Sequence, residues 1–176
     1  VVSREMGRAR DFAAKHGGAK AYADYGAMLR DPAVDIVYLA SPNHLHAEQT
    51  VLAAAAGKHV LCEKPMALTM EESQRMVEAC ADAGVHLGVG FHLRGHPAHQ
   101  RLRQLIGDGT LGAVSLANVS WVRGNRGQEW PPARPADQQW WEDPAMVGAG
   151  VMMATGVHCV DLLRYVLGEE VTEVTA

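Results

Sequence analysis

Glu63-Lys64-Pro65 stands directly behind the β-rich run His59-Val60-Leu61-Cys62, so a short strand delivers an amine beside a carboxylate. Such an amine can act as acid or base. Pro65 has no N–H and confines Lys64 to extended backbone, so the strand stops there. Ligands of open α/β sheets bind outside the carboxyl ends of parallel strands. Partial desolvation at that place eases proton exchange by an amine near neutral pH. The bland alternative is a surface Lys beside a surface Glu in a turn, and the tripeptide alone does not separate the two.

Other residues carry possible chemistry. His158 and Asp161 lie three apart, hence on one helix face, where the histidine is either functional or simply packed and satisfied by Asp161. His92, His96 and His99 resemble a metal cluster, but Pro97 starts a helix between them and no carboxylate or cysteine completes the set; no metal is expected. Arg94, at a strand end, either holds a substrate hydroxyl or braces two domains. Trp121, Trp130, Trp140 and Trp141 offer flat apolar faces to a sugar, or equally a buried cluster or subunit interface. Residues 107–112 spell G-x-G-x-x-G. A helix precedes them and a strand is expected after them, so the amides face away from any pyrophosphate, and the segment reads as a turn. No P-loop occurs, which removes the ATPase and kinase classes.

The elements that must position these groups alternate. Helical spacing covers residues 6–16 and ends at Gly17-Gly18, and a short helix spans 24–29 before Asp31-Pro32. Asp35 to Ala40 reads as a buried strand, Ser41-Pro42-Asn43 as a turn, and 44–56 as an alanine-rich helix ended by Gly57. After the strand at 59–62, Thr69 with Glu72 forms a capping box that opens a helix to Ala83. Residues 85–91 make the next strand. Strand and helix joined by short connections predict a parallel sheet of βαβ units. Beyond Pro97 come a helix (97–106), a strand (113–123), an aperiodic Gly/Pro/Gln/Trp stretch (124–144) and a helix (155–167). The domain boundary is expected at 94–97, giving domains 1–95 and 96–176.

The 176 residues carry a net charge of −4 and no basic block, which argues against a nucleic-acid surface. No apolar run of membrane-spanning length stands out, so no membrane is expected. Three cysteines, far apart and odd in number, fit a reducing, cytoplasmic setting better than a disulfide framework. The chain starts without methionine at what reads as a strand end, and residues 171–176 read as the start of another strand. A Rossmann glycine loop and first strand are expected upstream of Val1, and an upstream targeting peptide stays open.

Four pieces in order carry a resemblance. They are Ser41-Pro42-Asn43-His44-Leu45-His46-Ala47-Glu48, then Glu63-Lys64-Pro65-Met66-Ala67, then Gly90-Phe91-His92-Leu93-Arg94. Last come Gly148-Ala149-Gly150 with Gly156-Val157-His158-Cys159-Val160-Asp161. In this order and spacing the chain resembles the Gfo/Idh/MocA family of NAD(P)-dependent oxidoreductases. The resemblance implies an α/β fold: a truncated Rossmann-type parallel sheet, followed by part of an α/β domain with an open, mainly antiparallel sheet. It implies hydride transfer between nicotinamide and a sugar, sugar derivative or polyol. A homo-oligomer is expected of the complete protein. Alternatives are an NAD-dependent glycoside hydrolase of the same family and an inactive nucleotide-binding regulator. The segment alone, without a pyrophosphate seat, is expected to have little activity.

By the resemblance, Lys64 shuttles the hydroxyl proton and Glu63 lies beside the nicotinamide ribose. Ser41, Pro42, Asn43 and His46 form the turn near ribose and nicotinamide, Lys64 and Arg94 also touch the cofactor, and Lys64, Arg94, His158 and Asp161 bind the substrate, with His158 pointing at it. Ser3 and Arg4 sit where the adenosine ribose is read. Neither is acidic, and an arginine accommodates a 2′-phosphate, so NADP is preferred over NAD. Ala154 departs from the family, most catalytic members of which have aspartate four residues before the histidine.

Overall fold

The computed structural model describes residues 1–122, 136–148 and 150–175. Strands β1 (Ile36–Leu39) and β2 (His59–Cys62) run parallel, with Ile36 opposite His59 and Leu39 opposite Cys62. A strand's side chains alternate between faces, and here Val37, Leu39, Val60 and Cys62 are buried while Ile36, Tyr38 and Leu61 are exposed. Strand β3 (Leu87–Val89) completes a three-stranded sheet in the order β1-β2-β3. Just before it, the Val60 N–H donates to the His86 carbonyl at 2.8 Å.

Contacts divide the chain into two compact units. The first holds 1–41, 45–62 and 69–88; the second holds 42–44, 63–68 and 89–176. In the first unit, α1 (Met6–Lys15) buries Ala9 and Ala13. Helix α2 (Tyr25–Leu29) is capped by Asp24, whose carboxylate accepts from the Ala27 N–H. Helix α3 (His46–Ala55) packs on β1, β2 and α4 (Met70–Asp82). Small residues permit that close approach: Ala47, Ala53 and Ala54 are buried together with Thr50. Thr69 caps α4 by accepting from the Glu72 N–H at 3.1 Å, as the capping box predicts. The strand end expected at 1–3 reduces to one parallel bridge, Val2 with Tyr22.

In the second unit, α5 (Pro97–Gly107) packs on α7 (Val157–Leu167). Between α5 and residue 113, Asp108 accepts from the Thr110 amide and hydroxyl, and Gly109 and Gly112 take positive φ. That is a turn, as the glycine spacing in this context implies. The strand expected at 113–123 is corrected. Residues 113–122 form no strand, with Leu116 86% and Val122 85% exposed, and Arg123 lies outside the described residues. Alternation alone does not make a strand; the ladder requires a neighbour, and none pairs with this segment among the described residues. The same holds for 171–175, and no antiparallel sheet is found among the described residues of this unit.

Of the aperiodic stretch, 123–135 lie outside the described residues, while 136–142 form a 3₁₀ turn and α6 (Pro144–Val147) follows, capped by Asp143. The helix expected from residue 155 is preceded by a π-turn, Met152–Gly156, that runs into α7. Gly168, at φ 70, closes α7 in the left-handed region that glycine favours. Pro144–Leu167 is long and apolar enough to cross a membrane by length and composition, at 24 residues and mean hydropathy 1.5. Buried His158 and Asp161 give it a polar stripe that contacts other parts of its own unit.

Candidate active site

Lys64 follows β2 across a cis Lys64–Pro65 peptide and belongs to the second unit. Its main-chain N–H donates to the Glu63 carboxylate at 3.2 Å, and its Nζ donates to the Ala154 carbonyl at 3.1 Å. Ala154 lies at the middle of the π-turn, where the Val157 N–H reaches back five residues to the Met152 carbonyl. The amine is half-buried and held by main chain.

One turn after Ala154, His158 is 4% exposed. The Trp121 indole stacks on its ring at 5.9 Å and 18°, and the His92 ring meets it edge-on at 4.8 Å. Phe91 approaches edge-on at 6.2 Å. Burial pushes the imidazole below its ordinary range, and the positive charge of Lys64 and then His92 push the same way, against Asp161 and Glu63. His158 is therefore neutral at pH 7. Its Nδ1 is buried without a hydrogen-bond partner. An orphaned polar atom of that kind costs roughly 1–3 kcal/mol, which a hydroxyl or carbonyl brought in by a ligand would offset.

Asp161, one further turn along α7, takes both Nε and Nη2 of Arg94 at 2.5–3.2 Å. The guanidinium lies between the Phe91 and Tyr165 rings, at 5.7 and 5.5 Å. Hydrogen bonding to Asp161 raises the Arg94 pKa further. Arg94 and Asp161 thus spend their charges on each other.

Asn43 is buried in the second unit, donating from Nδ2 to the Val147 carbonyl at 3.2 Å, and Pro42 precedes it there. In the first unit, fully buried His46 meets the Ser41 carbonyl through Nε2 at 2.9 Å, and the Ser41 hydroxyl donates to Gln49 at 2.6 Å. Ser3 accepts from the Glu5 N–H at 3.3 Å, just ahead of α1, and Arg4 is exposed. Lys64, Glu63, His158, Arg94 and Asp161 are brought together within one unit. Ser41 and His46, and Ser3 with Arg4, belong to the other.

Sequence reasoning missed His92 as a neighbour of His158; its place in Gly90-Phe91-His92-Leu93-Arg94 was the available signal. It also missed the Ala154 carbonyl, which no side chain announces. His96 Nδ1 accepts from the Ala98 N–H, and His99 Nδ1 meets the Leu93 carbonyl, so both rings serve the start of α5. Trp140 stacks on Trp141 at 4.6 Å, and Trp130 lies outside the described residues.

A parallel α/β sheet of this kind is shared with solved Rossmann-type oxidoreductases. Residues 1–91 match the oxidoreductase family model for the NAD-binding Rossmann fold, and 99–176 match the GFO/IDH/MocA C-terminal domain. The chain belongs to the GFO/IDH/MocA family. It is 38% identical to 1,5-anhydro-D-fructose reductase of Ensifer adhaerens over 176 residues, 100% of this chain and 50% of that protein. It is 34% identical to levoglucosan dehydrogenase of Pseudarthrobacter phenanthrenivorans, over 92% of this chain and 40% of that one. A solved levoglucosan dehydrogenase, in complex with NADH and levoglucosan, superposes with a TM-score of 0.80 at 30% identity, covering 96% of this chain and 44% of that one. The chain spans about half the length of the curated relatives it matches.

Proposed function

We propose that the protein carrying this chain is an NAD(P)-dependent oxidoreductase acting on a sugar, sugar derivative or polyol, with Lys64 as proton donor and acceptor. The observation that carries this reading is the half-buried amine of Lys64 in the same unit as buried His158, whose Nδ1 lacks a partner. The relatives' named substrates, an anhydro sugar ketone and an anhydro sugar, support the substrate class.

The nicotinamide, when bound, supplies the hydride acceptor or donor at C4. In oxidation Lys64 would take the hydroxyl proton, and in reduction it would return that proton to the oxygen. His158 orients the substrate by a hydrogen bond without adding charge. Glu63, Ser41, Pro42, Asn43 and His46 would hold the nicotinamide half of the cofactor, and Ser3 and Arg4 the adenosine half. Arg4 favours NADP, although the levoglucosan dehydrogenase structure was solved with NADH.

The test is turnover of 1,5-anhydro-D-fructose with NADPH and of levoglucosan with NADP or NAD, by absorbance at the nicotinamide band. Lys64→Ala should lower kcat by roughly 10²–10⁴-fold while cofactor binding persists. Full turnover in that variant would remove Lys64 from the chemistry.

A further inference from the structure

His158 has no hydrogen bond at Nδ1 to set the plane of its ring. The second torsion of an imidazole is broad, and a histidine is ordinarily aimed by the hydrogen bond that its other nitrogen makes. Here packing aims the ring instead. Among the described residues three rings meet His158, and His92 is the nearest, at 4.8 Å and crossing it at 72°. Aromatic pairs favour this edge-to-face arrangement.

His92 opens a 3₁₀ turn, His92–Gly95, in which the Arg94 N–H donates to the Phe91 carbonyl at 3.0 Å. Two side chains from this one turn reach α7. His92 meets His158, and Arg94 holds Asp161 three residues further on. The turn is also tied to α5, where His99 Nδ1 meets the Leu93 carbonyl at 2.8 Å, and α5 itself packs on α7. An exposed imidazole is thereby held against a buried one from a braced base.

We propose that His92 is a positioning residue for His158: its ring edge fixes the plane of the buried imidazole, so that Nδ1 stays turned toward a bound hydroxyl or carbonyl. This rests on the substrate-orienting role given to His158 above. The contact needs a flat ring at position 92 and not its nitrogens. A phenyl ring should therefore replace it, and a methyl group should not.

The test compares His92→Ala with His92→Phe in the complete protein. The carbon-bound ring protons of His158, assigned by NMR through their loss in His158→Gln, should give sharp signals in wild type and in His92→Phe. In His92→Ala they should move and broaden as the ring samples a second plane. That spectrum reads the contact whatever sugar the protein takes. With levoglucosan and NADP or NAD, His92→Ala should lower kcat/KM about tenfold, the size of one neutral hydrogen bond, and His92→Phe by no more than about twofold. Most of the loss should lie in KM. Urea midpoints of both variants should stay close to wild type, since an exposed side chain contributes little burial. An unchanged His158 spectrum in His92→Ala, equal losses in the two variants, or a drop in stability without a change in KM would each overturn the proposal. Should His158→Gln keep full turnover, the substrate role of His158 itself fails; should His158→Gln be impaired while His92→Ala matches wild type, only the role of His92 fails.

Discussion

Arg94 grips Asp161 through two of its nitrogens, joining residues 67 apart in sequence, and Asp161 sits one helical turn beyond His158. The Arg94 end is half-exposed and the Asp161 end almost fully buried, at 48% and 6%. The pair ties α7 to the turn that carries His92, so the imidazole of His158 is set from two sides.

Breaking this pair should cost stability. Asp161→Asn is expected to lower the unfolding free energy by about 1–3 kcal/mol, below the value for a fully buried pair because water reaches the arginine. Arg94→Lys should not restore what Arg94→Ala loses, since an ammonium cannot make the paired contact. Urea denaturation checks both; equal stability of Arg94→Lys and wild type would show that the fork geometry is immaterial.

His158 should titrate below the ordinary histidine value of 6.5. Burial is the largest cause and the Lys64 charge the second, so Trp121→Ala and Lys64→Ala should each move the midpoint upward. The linkage has a fixed sign. Between the lowered folded value and 6.5 the unfolded chain binds more protons, so the stability this group contributes is full above 6.5 and is lost as pH falls below it. Two-dimensional NMR of the ring nitrogens measures the midpoint, and an ordinary value in wild type would contradict the geometry.

Thr69→Ala should destabilise the chain by about 1 kcal/mol, by removing the acceptor for the Glu72 N–H at the start of α4, and Thr69→Gly by only a few tenths. Amide hydrogen exchange in the first turn of α4 should accelerate in step. No change there would mean the cap is redundant.

Arg4→Ala, in the complete protein, should weaken NADP binding roughly tenfold or more while leaving NAD binding nearly unchanged, as loss of one charge-assisted phosphate contact implies. Fluorescence titration with both cofactors separates them. Equal loss for the two would remove the case for a 2′-phosphate contact.

The first unit was largely legible because its signals are local. Ile36-Val37 marks β1 and the short run ahead of Pro65 marks β2, Gly57 and Gly84 stop α3 and α4, and Thr69 announces its own helix. The second unit was less so. Residues 113–122 alternate like a strand, but pairing is a property of two segments and one sequence window holds only one of them. The Arg94–Asp161 grip and the Trp121–His158 stack join distant positions, and no periodicity reports such contacts. Lys64 was legible by its place before Pro65. Its acceptor was not, since every residue owns a carbonyl and only the π-turn makes this one matter.

Lys64 leaves β2 but clusters with α7 rather than with the sheet that delivers it. The Lys64 amine and the His158 imidazole therefore share one packing neighbourhood, while most of the parallel scaffold belongs to the other. Damage can then be sorted by origin. A lesion beneath β1 or α3 should erode nucleotide capture and thermal tolerance while sparing the surroundings of these two nitrogens, whereas a side chain at Gly148, where φ is 81°, should strain the second unit and lower its stability.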